Sequence, residues 1–504
     1  MLFAYFHPHN MSLLRKLAGE TAIYGFSYIL SRVLHYVLFT LYLTWVFNDS
    51  EDQYGIYRDL YFYVAIVLVI LTFRMETTYF RYAKEDKPAV TMMSMSFLSG
   101  FGVLFLLLLW LFRSDVAHWL KYDGLTTHIM LLGGVLFFDT LSAVPFASLR
   151  QQNRPWRFLA LKLGAIVLNV ALVLFFLELL PLLAKGGGTW QRLYEAHDQL
   201  YYIFLGNLLA SALTFILLLP LMRHQPLRWD FAFMKRMLAY SWPLVIVAIA
   251  GVINQSSSIT FQKLILPNDL TTNLAEGGVY AAAASLAIIL NLFTIAFNFA
   301  AEPFFFAHKE REDARQVYAD VALLFTIVGS VMMLAILAYM DVVQLVLGKN
   351  FRAGLEVVPI LLLSYLFLGI YYNLSAWYKL ADKTLWGAWI AIGGAAITIV
   401  GNIVLIPRMN VMGSAWSALL CYLFMCIASY FQGQKHYPIP YSLTRILGWI
   451  ASALILYFLM EWIRGFLAGN LPMILVVNTV LIGGFLYLIY RLERNLVGQL
   501  VRRK

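Results

Sequence analysis

Residues 73 to 85 read FRMETTYFRYAKE, from Phe73 to Glu85. The run closes a strongly apolar segment, 58–80, yet Arg74 and Glu76 stand about four to six residues before that segment's aromatic end. A charge so placed in hydrocarbon costs roughly 2.5 to 3.5 kcal/mol on insertion scales, and a membrane helix keeps one only where it faces protein or water. Arg32, inside the preceding apolar segment, is under the same constraint. The first two helices are therefore expected to turn cationic groups toward a shared polar cavity.

The rest of the chain supports a membrane reading of that segment. Of 504 residues 61% are hydrophobic, 16% aromatic and only 13% charged, with a mean hydropathy of +0.74. Apolar runs of about 20 residues, the length that crosses about 30 Å of hydrocarbon as a helix, recur from one end to the other. Spanning β-barrels need alternating strands instead of continuous apolar runs. The expected fold is an all-α polytopic membrane protein of about 14 transmembrane helices. The map runs as a cytoplasmic segment 1–19, an N-lobe of six helices 20–222 whose first two spans are 20–46 and 58–80, and a cytoplasmic linker 223–237. A six-helix C-lobe 238–431, a further helix pair 432–491 and a basic tail 492–504 follow.

The excess of 37 Lys and Arg over 27 Asp and Glu is scattered over short loops, which points to membrane topology and away from nucleic acid. Placing the N-terminus inside puts roughly 24 basic residues in inner segments and roughly 9 in outer ones, so both ends are expected to be cytoplasmic. Cys421 and Cys426 fall in one apolar segment, which excludes a disulfide framework and a CxxC metal pattern; no metal is expected. The leader MLFAYFHPHN lacks the basic and apolar regions of a cleavable signal, and Met11 opens an alternative start, MSLLRKLAGE.

A faint internal repeat crosses the basic loop at 223–236. Gly55-Ile-Tyr57 begins the second helix and Gly278-Val-Tyr280 the eighth, and each helix ends in a glutamate followed by aromatics, Glu76 to Phe80 and Glu302 to Phe306. The lobes are thus expected to be pseudo-symmetric, as in many transporters.

The polar residues inside the spans fall on faces. Tyr28, Arg32, His35 and Tyr36 share one side of the first helix. Arg32 is about ten residues, or about 15 Å, from the inner edge, too deep for easy snorkelling. It is read as lining a cavity for an anionic ligand, with a buried pair to Glu76 or Asp139 as the alternative. Arg74, Thr77, Thr78 and Arg81 make a stripe on the second helix, and Arg81 is placed at the membrane surface among lipid phosphates. In the second half, Asn254 and Ser258 line helix seven with Gln262, while Asn291, Asn298 and Glu302 line helix eight. Such amides either join helices or form a polar interior. Asp139 and Glu302 are the acids placed to take a proton or sodium ion, or to pair with a base. Lys162, Lys263, Glu178 and Glu461 stand near helix ends, within snorkelling reach of the interface.

Enzyme signatures are missing. LGKNFRAG from Leu347 lacks the phosphate-binding GxxxxGK[ST] pattern, and HExxH and GxSxG do not occur. No loop is long enough to house a catalytic domain. A transporter without a cofactor is expected, with a membrane glycosyltransferase or polymerase as the rival from another class.

Several stretches together resemble the polysaccharide-specific transporters, the Wzx-type lipid-linked oligosaccharide flippases of the multidrug/oligosaccharidyl-lipid/polysaccharide (MOP) exporter superfamily. LAGETAIYGFSYILSRVLHYVLFTLYL and YGIYRDLYFY look like their first helix and the loop into the second, and METTYFRY like the end of the second. ASLRQQNRPWRFLALKLG looks like the loop between the fourth and fifth. LVLGKNFRAGLEVVPILLLSYLF and GNIVLIPRMNVMGSAWSALLCY resemble their C-terminal module, so the likeness covers roughly residues 11 to 440. It implies two six-helix lobes around a cavity that opens alternately to either side, in a bacterial inner membrane. The last two spans are extra, as in the related lipid II flippases. In these families the position of Arg74 is usually small and that of His35 often an amide, so a more cationic cavity is expected here.

The resemblance and the charges together lead to one expected mechanism. Arg32 and Arg74 replace water around the diphosphate of a polyprenyl-linked glycan, and Tyr28, Tyr36, Asn254, Asn291 and Asn298 bond its sugars. The tail stays in lipid while the lobes rock. Expected partners are the lipid-linked glycan, membrane lipids, and the polymerase and glycosyltransferases of the same route. A lipid II flippase and a cation-coupled drug exporter are the nearer alternatives.

Overall fold

The computed structural model describes residues 30, 32–152, 154–222, 230–307, 312–381, 383–467 and 469–494. Among them there is no strand, and 13 helices are long and apolar enough to cross a membrane, from Glu51–Tyr82 to Leu471–Leu492. Residues 20–29 and 31 of the first expected span, 20–46, and with them Tyr28, lie outside the described residues. Its described part is the shorter apolar helix Arg32–Val46, which passes into a π-helix at Tyr36–Leu41. Thirteen helices after it occupy the other thirteen expected spans.

Capping explains several helix starts. Asp86 accepts a hydrogen bond from the Ala89 amide at 3.1 Å ahead of Pro88 to begin Lys87–Leu111. Asp198 accepts one from Tyr201 at 2.7 Å to begin Gln199–Leu218, and a ring nitrogen of His128 reaches the same carboxylate at 2.8 Å.

The second span is not the single helix expected at 58–80. It breaks between Glu51–Thr72 and Met75–Tyr82, with Phe73 and Arg74 both left-handed at φ 46° and 52°. Each such non-glycine residue costs about 1–3 kcal/mol. Close packing offsets this: Met75 and Tyr79 are fully buried in one cluster with Val90, Met93, Leu141, Val144 and Met237. The predicted stripe is therefore dissolved. Thr78 is buried against the Ser241 hydroxyl at 2.5 Å, Arg74 stands outside the helix as its cap, and Arg81 lies exposed over the Tyr240 ring at 4.3 Å.

The chain divides into two compact units. One holds residues 60–252 with the part before Thr40, and the other holds 40–59 together with 253–504. In the second unit the two repeat motifs meet each other. A Cβ on Gly55 would lie 1.9 Å from the Leu274 carbonyl oxygen, and one on Gly278 2.3 Å from that of Glu51 and 3.0 Å from the Gly55 nitrogen. Both positions need glycine because two helix backbones touch there. The final helices Leu443–Phe466 and Leu471–Leu492 pack on Ala314–Ala338 of the same unit, where Asn478 donates to the Ala338 carbonyl at 2.6 Å.

Lys263 does not snorkel. Its Nζ lies 2.5 Å from Asp59 Oδ2, both side chains are essentially inaccessible, and the Thr260 hydroxyl donates to the other Asp59 oxygen. The cause is a helix break at Ser257 that starts the short helix Ser258–Ile265, with the Asn273 amide holding the Lys263 and Leu266 carbonyls. Burying two charges repays its desolvation cost only while both are present. Lys263→Met alone is expected to lower the melting temperature sharply, by the equivalent of about 3–5 kcal/mol, and Asp59→Asn combined with Lys263→Met to recover most of it. Thermal melts of the detergent-solubilised variants check this.

Asp198 supplies a pH-dependent element. Burial tends to raise its pKa, but the His128 hydrogen bond and the Tyr201 amide outweigh burial and leave it below the ordinary carboxylate value. A lowered folded pKa means that the stabilisation is complete above the unfolded value and is lost as pH falls through the folded one. Asp198→Ala is expected to cost about 1 kcal/mol at neutral pH and to flatten the acid limb of a stability profile.

Candidate functional site

The helix break at Phe73–Arg74 opens onto a cavity of about 570 Å³ inside the first unit, within the 300–1,000 Å³ typical of ligand sites. Its charged lining comprises three cations, Arg74, Arg150 and Lys162, and two carboxylates, Glu76 and Asp139, which leaves one positive charge in excess with His35 neutral. Besides the segments that bring His35 and Glu76, separate helices converge to build it: Thr126–Gln151 contributes Asp139, Ser142 and Arg150, Pro155–Leu174 contributes Lys162 and Asn169, and Gln199–Leu218 contributes Ser211 and Thr214. The end of Glu51–Thr72 adds Thr72.

Pairing within the cavity is uneven. Glu76 forms an ion pair with Arg150 Nη2, and the Arg150 guanidinium also lies over the rings of Phe80 at 5.0 Å and Phe158 at 5.7 Å. Lys162 sits 4.5 Å above the Phe146 ring, within electrostatic reach of Asp139, which also meets Ser211. Arg74 differs: its exposed guanidinium has no ion-pair or hydrogen-bond partner among the described residues. A left-handed residue thus holds an unmatched cation in a cavity within the membrane-spanning part, against both backbone preference and desolvation. Asn169 Oδ1 is likewise buried without a hydrogen-bond partner.

Of the residues expected from sequence, Arg74, His35, Glu76 and Asp139 line this one cavity, and His35 stacks on Phe39 at 4.9 Å. Arg32 is exposed and is not among the lining side chains, while Tyr36 is buried. Glu76 pairs with Arg150.

The second-unit residues are distributed differently. Asn254 is buried helix glue: its amide donates to the Ala391 carbonyl at 3.3 Å and its oxygen accepts from Thr398 at 3.3 Å. Ser258 begins its short helix and meets Tyr280, Gln262 is fully buried, and Asn291 is half-buried. Asn298 and Glu302 line a separate cleft, barely the size of one water, with Tyr372 and Lys379, whose ammonium lies 3.1 Å from Glu302. Half-exposed pairs such as Glu76 with Arg150 and Glu302 with Lys379 contribute only about 0–1 kcal/mol to stability.

Sequence reasoning missed Arg150, and it set Lys162 aside as a snorkelling residue although it lines the cavity. A signal was present. Asp139 and Arg150 are eleven apart on one helix, and Lys162 and Asn169 seven apart on the next, spacings that keep each pair on one face. What hid them was the absence of any sequence rule for which faces of separate helices converge.

No protein-family model and no curated protein sequence matches the chain. Its structure is similar to several solved ones. A structure of the lipid II flippase MurJ in an inward closed conformation matches with a TM-score of 0.71 at 12% identity, over 93% of this chain and 99% of that one. An inward-facing multidrug resistance MATE family transporter of the MOP superfamily matches at 0.63 and 11% identity, over 82% and 94% of the two chains. A MOP superfamily transporter from Pyrococcus furiosus, described as having a binding pocket of reverse polarity, matches at 0.53 and 12% identity over 82% and 95%. At these identities the likeness is one of fold, and the fold is that of the MOP transporters and flippases.

Replacing Arg74 separates its strain from its charge. Arg74→Gly removes left-handed strain of about 1 kcal/mol or more and is expected to hold or raise the melting temperature, whereas Arg74→Ala keeps the strain. Both are expected to weaken binding of an anionic ligand. Melting curves and anion titrations on the same samples check the contrast.

Proposed function

We propose that this protein is a flippase that carries the anionic head of a lipid-linked oligosaccharide, an undecaprenyl-diphosphate glycan, across a bacterial inner membrane by alternating access, for surface polysaccharide synthesis. One observation carries the reading: Arg74 presents an unmatched guanidinium to a cavity of about 570 Å³ inside a MOP-type fold. A diphosphate cannot cross hydrocarbon unaided, and a guanidinium binds phosphate oxygens in pairs, replacing the water the head gives up.

In this proposal Arg74, with Arg32 on the first helix, takes the diphosphate, and His35 and Glu76 flank it. Tyr28, Tyr36, Ser258, Asn291 and Asn298 meet sugar hydroxyls, and Asn254 is placed as a support for the neighbouring helices. Asp139 and Glu302 are the acids through which a proton or sodium gradient would act. The tail remains in lipid, no covalent bond changes, and both termini face the cytoplasm. The glycosyltransferases that build the unit and the polymerase that consumes it are the natural partners.

A lipid II flippase is the second reading, favoured by one observation: the MurJ structure matches over 93% of this chain, against 82% for the MATE structure above. Its head carries the same diphosphate, so the cavity chemistry is shared. A drug exporter for organic cations fits less well, because the lining carries a net positive charge.

Depletion in the native host separates the readings. Cytoplasmic accumulation of lipid-linked glycan with intact cells is the expected result. Lysis with accumulated lipid II would favour the second reading, and loss of glycan synthesis a transferase. In complementation, Arg74→Ala and Arg32→Ala expressed at wild-type level are expected to lower surface polysaccharide at least tenfold, an effect of the size that one charge-assisted phosphate contact supports. Full activity of both variants would sink the cavity mechanism.

A further inference from the structure

The two ion pairs described above occupy matching places in the repeat. Glu76 and Glu302 are 226 residues apart, and their partners Arg150 and Lys379 are 229 apart, close to the 223 that separates Gly55 from Gly278. Each glutamate stands next to the aromatics that close its half of the repeat, and each base stands in the last turn of a helix, Thr126–Gln151 and Ala376–Leu380. Each pair also lines the cavity or cleft of its own unit, Glu76 and Arg150 beside Arg74, Glu302 and Lys379 beside Asn298.

Their exposure decides between a staple and an exchangeable site. The side chains of the first pair are 46% and 33% accessible and those of the second 51% and 36%. Pairs so wet hold weakly, and they contrast with Asp59 and Lys263, whose accessibilities of 0% and 1% mark a permanent bond. A carboxylate held loosely against a cation in a polar recess imitates a phosphate, and a phosphate, with more charge and more acceptor oxygens, binds the same cation better.

We propose that the two pairs are anion ports, one in each unit, at which a phosphate or diphosphate group displaces the glutamate: Glu76 from Arg150 inside the larger cavity, and Glu302 from Lys379 on the half-exposed rim of a cleft that itself holds about one water. The glutamates keep the cations neutralised when no ligand is bound and set a threshold that an ordinary monoanion does not cross. The inference rests on the anionic-substrate reading above and assigns to it two cations, Arg150 and Lys379, besides Arg74.

The full-length protein in nanodiscs is titrated with inorganic pyrophosphate and, separately, with a short-chain prenyl diphosphate. Removing a competing carboxylate worth an exposed ion pair makes Glu76→Gln and Glu302→Gln bind about two- to fivefold more tightly. Arg150→Gln and Lys379→Gln are expected to bind more weakly. A gain with both probes means that the port reads the phosphates alone, and a gain with the prenyl diphosphate only means that it reads them on a lipid; either supports the ports. A second measurement needs no variant: on the wild-type chain, pyrophosphate or the prenyl diphosphate is expected to protect Arg150 from phenylglyoxal and Lys379 from acetylation, read peptide by peptide. Glutamate variants that melt like wild type yet bind no tighter, or bases left unprotected at saturating ligand, overturn the ports. If Arg74→Ala abolishes binding in that case, the function reading survives without them. If neither probe binds the wild type, both fall.

Discussion

The cost of holding a charge in hydrocarbon organises this protein. Each ionisable group within the spans must find a partner, reach the interface or face water, because several kcal/mol attach to doing none of these. Asp59 and Lys263 take the first course in a dry, fully buried pair. Arg81 lies exposed over an aromatic ring. Arg74, Asp139, Arg150 and Lys162 share one cavity, where Arg150 is also paired with Glu76 and only Arg74 stands without a partner among the described residues. Ionic groups in this fold therefore sort into dry buried pairs, exposed groups and groups that line a cavity, and accessibility is the property that separates them.

The backbone follows from that sorting. An unbroken second helix would carry Arg74 round on the same helical surface as its neighbours, while Met75 and Tyr79 belong in the core of the first unit. Two consecutive left-handed residues decouple the segments, so that the apolar residues pack and the guanidinium is free to face the cavity. Strain of this kind persists only where surrounding packing over-determines it. In the second unit a break at Ser257 does comparable work, turning Lys263 inward to Asp59.

The internal repeat acquires physical content in the same way. Gly55 and Gly278 recur because the two helices that bear them touch each other backbone to backbone, a contact that a single methyl group on either would obstruct. Glu76 and Glu302 recur with a base opposite each, in pairs too wet to matter much for stability.

The helical class, the count of spans to within the partly described first one, and the suspicion that falls on Arg74, His35, Glu76 and Asp139 were all legible in the chain, since run length and the price of intramembrane charge are local properties. The arrangement of separate helices was not. Arg150 and Lys162 enter the cavity only because separate helices bring those faces together, and Asn254 turns out to hold helices together because Ala391 and Thr398 lie against it. Lys263 looked like a surface lysine until a helix break set it beside an aspartate 204 residues away. Periodicity assigns a residue to a face of its own helix; which other face meets it, and hence whether a charge is a bond or a binding group, is decided by packing over distances that no sequence window spans.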